Sequence, residues 1–250
     1  MLLNELAREV YARQIMIDEI GEEGQEKLCG ASVLVVGCGG LGSPVLYYLT
    51  AMGIGHIGLC DGDVVSPSNL NRQVLYTMED IGRSKASAAA QRLQALNPRL
   101  RVTVYDCFLT AELADNLIPS YDIVVDCLDN FAARFIINDA CIAADRPFVH
   151  AGVSGFHGQL LTVTPGESPC LRCLFPQGDK KPAMGQQGVL GSTPAVLGAL
   201  EATEAVKYLL GLPLNNDGFL LYDGLRMNFE KVSLLPAANC ACQKRRQKNY

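Results

Sequence analysis

Two rhythms of apolar residues run through this chain. Short, largely apolar stretches at Ser32–Val36, His56–Cys60, Asp122–Cys127 and Phe148–Ala151 have the length and composition of buried strands, and Arg101–Tyr105 predicts another. Between them, Gly42–Met52, Lys85–Leu96, Ala111–Leu117 and Phe131–Ala144 predict helices, the alanine-rich second one stopped by Asn97-Pro98. Strands alternating with helices of this length predict βαβ units, and so an α/β, Rossmann-like, mostly parallel sheet. Ahead of it, Leu2–Ile17 reads as one helix with Leu3, Leu6 and Val10 on one face, and Gly62–Arg83 is irregular.

Beyond Gly152 the pattern changes. Gln159–Thr164 reads as a strand, and Gln177–Gly191, with four glycines and one proline, as a mobile loop. Ser192-Thr193-Pro194 predicts an N-cap with proline at the first helical position, and the helix runs to Leu210 before Gly211. Phe219–Tyr222 and Asn228–Leu234 predict a final antiparallel pair. The expected organisation is a single domain over 1–250: an N-terminal helical segment (1–30), a Rossmann-like part (31–152) and an antiparallel extension (153–250).

Composition narrows the class. The 250 residues, 49% hydrophobic, suffice for one large core, and a net charge of −5 offers no nucleic-acid surface. The basic run Lys244-Arg245-Arg246 reads as a solvated tail. No stretch approaches the roughly 18–20 apolar residues of a membrane span. Glu5, Glu9 and Asp18 do not suit a signal or transit peptide, so a cytoplasmic protein without membrane or nucleic-acid partners is expected. Of ten cysteines, Cys29, Cys38, Cys60, Cys107, Cys127 and Cys141 fall in strand and helix segments and read as small buried apolar residues. The close pairs Cys170/Cys173 and Cys240/Cys242 need a separate account.

The candidate chemistry begins at "VLVVGCGGLG", where a strand enters a turn with glycines at Gly37, Gly39 and Gly42. Such a turn lets the backbone approach a phosphate at a helix N-terminus, where free N–H groups and the dipole favour negative charge. Asp61, at the end of the next strand, suits ribose hydroxyls. Both features fit ATP, AMP or ADP as well as NAD. In "SNLNRQVLYTMEDIGRSK", however, Arg72 and Lys85 flank an irregular segment, as neutralising a triphosphate requires and hydride transfer does not. Lysine in the first turn of a helix opposes the dipole, which a nearby anion would offset. "DCLDN" then places Asp126 and Asp129 at a strand's carboxyl end, where either suits Mg²⁺ and where Asp129 or Asn130 also suits a helix cap.

"YARQI", "GCGGLGSP", "DGDVVSPSNLNRQ", "GRSK", "LNP", "DCLDN" and "CLRC" follow one another in this order. The chain closely resembles the bacterial E1-like adenylyltransferases of the ThiF/MoeB/HesA family over essentially its whole length. The resemblance implies ATP-dependent adenylylation of the C-terminal glycine of a ubiquitin-like sulfur carrier ending in Gly-Gly. It implies that Gly39, Gly40 and Gly42 form the phosphate turn and Asp61 holds the ribose. Asn69, Arg72, Gln73 and Lys85 would then line the triphosphate, and Asp129 would serve Mg²⁺. Arg13 corresponds to an arginine that reaches into a partner subunit's site, implying a homodimer. The part 31–152 becomes the ATP-binding part, and 153–250 a carrier-binding and zinc-binding extension.

Cys170-Leu-Arg-Cys173 has zinc-knuckle spacing, and relatives pair it with a C-terminal CxxC. Here the second pair, Cys240-Ala-Cys242, is one residue shorter. A structural Zn²⁺ on Cys170, Cys173, Cys240 and Cys242 is expected; a redox CxxC and unligated thiols are the rivals. Some relatives carry a reactive cysteine in the loop corresponding to Gln177–Gly191, where Met184 stands here, and no cysteine lies between Cys173 and Cys240. Chemistry through such a loop cysteine is therefore excluded, and sulfur would come from a persulfide-bearing donor protein or another source. That pattern is closer to the molybdopterin branch than to the thiamin branch. The competing classes are an acyl substrate such as a peptide or tRNA, a non-catalytic scaffold of the same fold, and an NAD(P)-dependent oxidoreductase.

Overall fold

The computed structural model describes residues 3–176 and 188–243. Most of the predicted Gln177–Gly191 loop, with Met184, and the basic tail from Lys244 lie outside the described residues. Strands β1 (Ser32–Val36), β2 (His56–Cys60), β3 (Arg101–Tyr105) and β4 (Ile123–Asp126) run parallel with β5 (Phe148–Ser154). Strands β6 (His157–Val163), β7 (Gly218–Asp223) and β8 (Asn228–Ser233) continue the sheet antiparallel, giving the order β3-β2-β1-β4-β5-β6-β7-β8. The Rossmann-like, mostly parallel sheet with its antiparallel extension is the fold expected from the alternating apolar runs.

Helices cover both faces of the parallel part, which is why β1 and β4 carry apolar residues without alternation. One face packs under α4 (Gly42–Ala51), α5 (Lys85–Leu96) and α9 (Ser192–Leu210), around Val33, Leu46, Ile57, Leu93 and Leu197. The other packs under α6 (Ala111–Leu117) and α7 (Phe131–Ala144), with Leu34, Ile118, Val124, Phe135 and Phe148. The strand order reverses between β1 and β4, so the carboxyl ends of β1, β2 and β4 flank a crevice, the usual ligand position in open α/β sheets.

The N-terminus departs from expectation. Instead of one helix over Leu2–Ile17 there are two short ones, α1 (Glu5–Val10) and α2 (Ala12–Ile15), followed by α3 (Gly21–Gly30). Asn4 caps α1 by accepting from the Ala7 N–H, and the buried face is Leu3, Ala7 and Tyr11; Leu6 and Val10 are exposed. Tyr11 ends the first helix and fits under Gly53, whose φ of +88° a side chain rarely adopts. At α9 the expected N-cap also shifts. The helix opens at Ser192 after Gly191, no side chain among the described residues caps it, and Thr193 Oγ1 donates instead to the Gly155 carbonyl. Among the described residues no helix is long and apolar enough to cross a membrane.

Candidate active site

Sterics explain the glycine turn. Gly37 has φ +95°, and a Cβ there would lie 2.7 Å from the Cys127 carbonyl oxygen. A Cβ on Gly42 would lie 2.0 Å from the Gly37 carbonyl oxygen, so only glycine lets α4 start this close to the end of β1. Gly39 and Gly40 are open toward the crevice. A Cβ on the first would stand 3.5 Å from Gln73 Nε2, and one on the second 3.5 Å from Arg72 Cγ. The irregular segment thus lies beside the turn, and Pro194 of α9 stands as near to Gly40 as Arg72 does.

That segment is internally braced. Ser66 and Asn69 form a capping box around a short 3-10 turn, with Asn69 Oδ1 accepting from the Ser66 N–H at 3.1 Å. Tyr76 is buried and donates to the Cys38 carbonyl at 2.8 Å, fixing the segment to the glycine turn. Arg72 is half-buried and donates to the Ser68 carbonyl and to Asn71 Oδ1. Gln73 is buried, and its Oε1 has no hydrogen-bond partner among the described residues, while its Nε2 lies on the side of Gly39. A buried acceptor of this kind costs about 1–3 kcal/mol until a donor reaches it, and nucleotide hydroxyls or water supply one.

Asp61 completes the nucleotide side. Its Oδ2 accepts from the Cys38 N–H at 2.7 Å and its Oδ1 from the Asp63 N–H at 2.8 Å, so the carboxylate is fixed between the two strand ends. Burial raises its pKa above the ordinary carboxylate value, against the pull of those two N–H groups and Lys85. Lys85 begins α5 behind the Ser84 cap, and its ammonium is paired with Asp63 Oδ2 at 2.9 Å. The anion expected beside this first-turn lysine is thus present in the chain itself.

The two aspartates of "DCLDN" separate by burial. Asp126 is fully buried, with Oδ2 2.8 Å from His150 Nδ1 and Oδ1 accepting from the Leu128 N–H. It is therefore unavailable to Mg²⁺, whereas Asp129 is exposed at the crevice end of β4. Asn130 is the N-cap of α7, accepting from the Ala133 N–H at 2.9 Å.

Beneath this loop lies a polar cluster that sequence reading missed. Buried Arg134 donates to the Leu128 carbonyl at 2.6 Å and the Ala151 carbonyl at 3.1 Å, with Nε 4.0 Å from Asp126. Burial lowers the pKa of His150 despite Asp126, which favours the neutral ring, and its Nε2 has no partner among the described residues. Glu201, fully buried on α9, has its pKa raised well above the usual range by burial and then by Asp126. Asp126 and Arg134 thus grip the Leu128 N–H and carbonyl, and so set the position of Asp129. The pattern Asp126…Arg134 is the only sequence signal, and spacing alone does not say that both are buried.

Arg13 does not join these residues within its own chain. It is exposed on α2, next to Gln14, whose Nε2 donates to the Met52 carbonyl at the C-terminal end of α4. The glycine turn is at the other end of that ten-residue helix, about 15 Å away.

The cysteine pairs converge. Cys170 caps α8 (Leu171–Leu174), which carries Cys173, and Cys240 and Cys242 straddle Ala241 at the start of a short 3-10 turn. Sulfur separations are 3.5 Å for Cys170–Cys240, 3.5 Å for Cys173–Cys242 and 3.9 Å for Cys170–Cys173, with all four within 4.8 Å of one another. Tetrahedral Zn–S bonds of about 2.3 Å require edges of about 3.8 Å, so the shortened Cys240/Cys242 pair still reaches. This cluster could hold a metal ion. Of the remaining cysteines, Cys107 is exposed and Cys29 half-buried, contrary to the expectation of burial for both.

A glycine turn and a ribose-type acid fixed to each other at the reversal of a parallel sheet, with Arg72 beside the turn and Lys85 near the acid, define a Rossmann-like nucleotide-binding protein. The chain belongs to the ThiF family, which it matches over residues 11–244. It is 46% identical over 240 residues to the sulfur carrier protein adenylyltransferase of Thermus thermophilus, covering 92% of this chain and 88% of that protein. It is 40% identical over 232 residues to the sulfur carrier protein ThiS adenylyltransferase of Escherichia coli, covering 92% of each. In fold it is similar to E. coli MccB crystallised with ATP, with a TM-score of 0.81 at 23% identity over 94% of this chain and 74% of that one.

Proposed function

We propose that this chain is an ATP-dependent adenylyltransferase acting on the C-terminal glycine of a ubiquitin-like sulfur carrier. The observation that supports the reading is the bracing of the glycine turn, with Asp61 accepting from the Cys38 N–H, Tyr76 of the irregular segment donating to the Cys38 carbonyl, and Gln73 and Arg72 of that segment standing off the Cβ directions of Gly39 and Gly40. A carboxylate oxygen attacks the α-phosphorus of ATP, the bond to the bridging oxygen breaks, and pyrophosphate leaves. The product is an acyl-adenylate whose AMP is a good leaving group for a sulfur nucleophile. Asp61 would hold the ribose, and the open backbone of Gly39 and Gly40 would admit the phosphates. Arg72 and Lys85 would neutralise charge on the departing pyrophosphate, while Asn69 and Gln73 orient it. Mg²⁺, bound through exposed Asp129, would add charge neutralisation at the phosphates.

The finer points belong to the same reading. The part 31–152 binds ATP, and 153–250 receives the carrier and holds a structural Zn²⁺ on Cys170, Cys173, Cys240 and Cys242. Arg13, remote from its own crevice, serves the crevice of a partner subunit in a homodimer. The enzyme works in the cytoplasm in molybdopterin or thiamin biosynthesis, and a persulfide-bearing protein supplies the sulfur. ATP–pyrophosphate exchange with Mg²⁺, with and without purified carriers ending in Gly-Gly, tests the reading. Exchange that requires one carrier and is lost in Arg72→Ala and Asp129→Ala is expected. No exchange with any carrier, despite ATP binding, would refute it in favour of another acyl substrate or a scaffold.

A further inference from the structure

Lys85 is an unusual lysine. Its side chain is only 7% exposed, and it stands in the first turn of α5, where both desolvation and the helix dipole oppose a positive charge. Its partner, Asp63 Oδ2 at 2.9 Å, belongs to a carboxylate that is 55% exposed. The pair is held in place by the backbone: the Lys85 N–H donates to the Asp63 carbonyl at 2.9 Å, and the Asp63 N–H donates to Asp61 Oδ1 at 2.8 Å. Asp63 is thus fixed between the ribose-type acid and the triphosphate-type lysine. Its carboxylate occupies the position at the ammonium that an anionic phosphate would take.

An exposed carboxylate is a weak counter-ion, and a polyphosphate carries more charge than it does. We propose that Asp63 is the resident counter-ion of Lys85, exchanged for the terminal phosphates of ATP on binding and restored to the ammonium when pyrophosphate leaves. The inference rests on the adenylylation reading, and it assigns Asp63 a positioning role rather than a contact with the reacting atoms. Two consequences follow from charge alone. Asp63 lowers affinity for anions that reach Lys85, and it does so selectively for triphosphate and pyrophosphate over AMP. It also favours pyrophosphate release over reversal, because the tethered carboxylate competes with the departing anion for the ammonium.

The test is binding of ATP, pyrophosphate and AMP by titration calorimetry to the full chain and its variants. Asp63→Asn should tighten ATP and pyrophosphate roughly three- to tenfold and change AMP less than about twofold. Asp63→Glu should restore values near wild type, and Asp63→Asn should have no effect in a Lys85→Ala background. Unaltered AMP binding reports an intact fold, which a merely structural loss would not preserve. Weaker or unchanged triphosphate and pyrophosphate binding in Asp63→Asn overturns the counter-ion role while leaving adenylylation standing; weakening would place Asp63 on the metal side of the site. Failure of the wild-type chain to bind ATP or pyrophosphate overturns both.

Discussion

Glu201 offers the sharpest physical test of the cluster under the Asp129 loop. Its carboxyl is fully buried, Cys127 Sγ lies 3.9 Å from Oε2, and Oε1 has no hydrogen-bond partner among the described residues. Burial first, then the neighbouring Asp126 charge, raises its pKa well above the usual range, with Arg134 and the Ala151 N–H only partly opposing. The native chain therefore keeps Glu201 protonated at pH values where an unfolded glutamate, titrating near about 4.3, has lost its proton. A raised native pKa contributes stability that is fully present below the unfolded value and is lost as pH rises toward the native one. Over that window the loss is about 1.4 kcal/mol per pH unit. Glu201→Gln keeps the shape and the acceptor for Ala151 but cannot ionise. Its stability relative to wild type should therefore climb by about 1.4 kcal/mol per unit across the window. Urea unfolding of both proteins at steps upward from about pH 4.5 measures the difference directly. A difference that stays flat over this range would show Glu201 ionised in the native state, with Arg134 neutralising it, and would refute the burial argument.

Three further outcomes are expected. Arg134→Met removes the donors to Leu128 and Ala151 and leaves buried Asp126 without its neighbouring cation, held only by the Leu128 N–H and His150, so it should cost about 3–5 kcal/mol and sharply reduce Mg²⁺-dependent exchange. Arg134→Lys should recover only part of both, as read by thermal melts and exchange rates. Cys173→Ser should lose zinc that the purified wild-type chain carries, measured by atomic absorption, and should melt at a lower temperature; wild-type protein free of metal after zinc-supplemented expression would contradict the site. Arg13→Ala and Lys85→Ala, each inactive alone, should partly recover exchange when mixed, since one site of the mixed dimer keeps both residues. No recovery would count against cross-subunit sites.

The parallel half of the fold was legible because its signals are local and redundant. Apolar strands, an alanine-rich helix ended by Asn97-Pro98, and Asn130 ahead of Phe131 each act within a few residues of where they are read. The N-terminal segment was not, because Tyr11 ends its helix through a contact with Gly53, far along the chain, and the glycines at 21, 24 and 30 hide the periodicity of α3. The site residues divide the same way. Glycines and paired cations announce a nucleotide, but nothing in "DCLDN" says which aspartate is buried, since that depends on His150 from the next strand and Arg134 from the next helix. Lys85 shows the limit best. Its place at a helix N-terminus calls for a neighbouring anion, read from the sequence as a triphosphate, and Asp63 in "DGDVV" is the anion that the chain itself places there. A residue type that demands a counter-charge does not say who provides it. Where the chain provides one that is half exposed, the demand can be met again by a ligand of greater charge, and a structural pair becomes an exchangeable one.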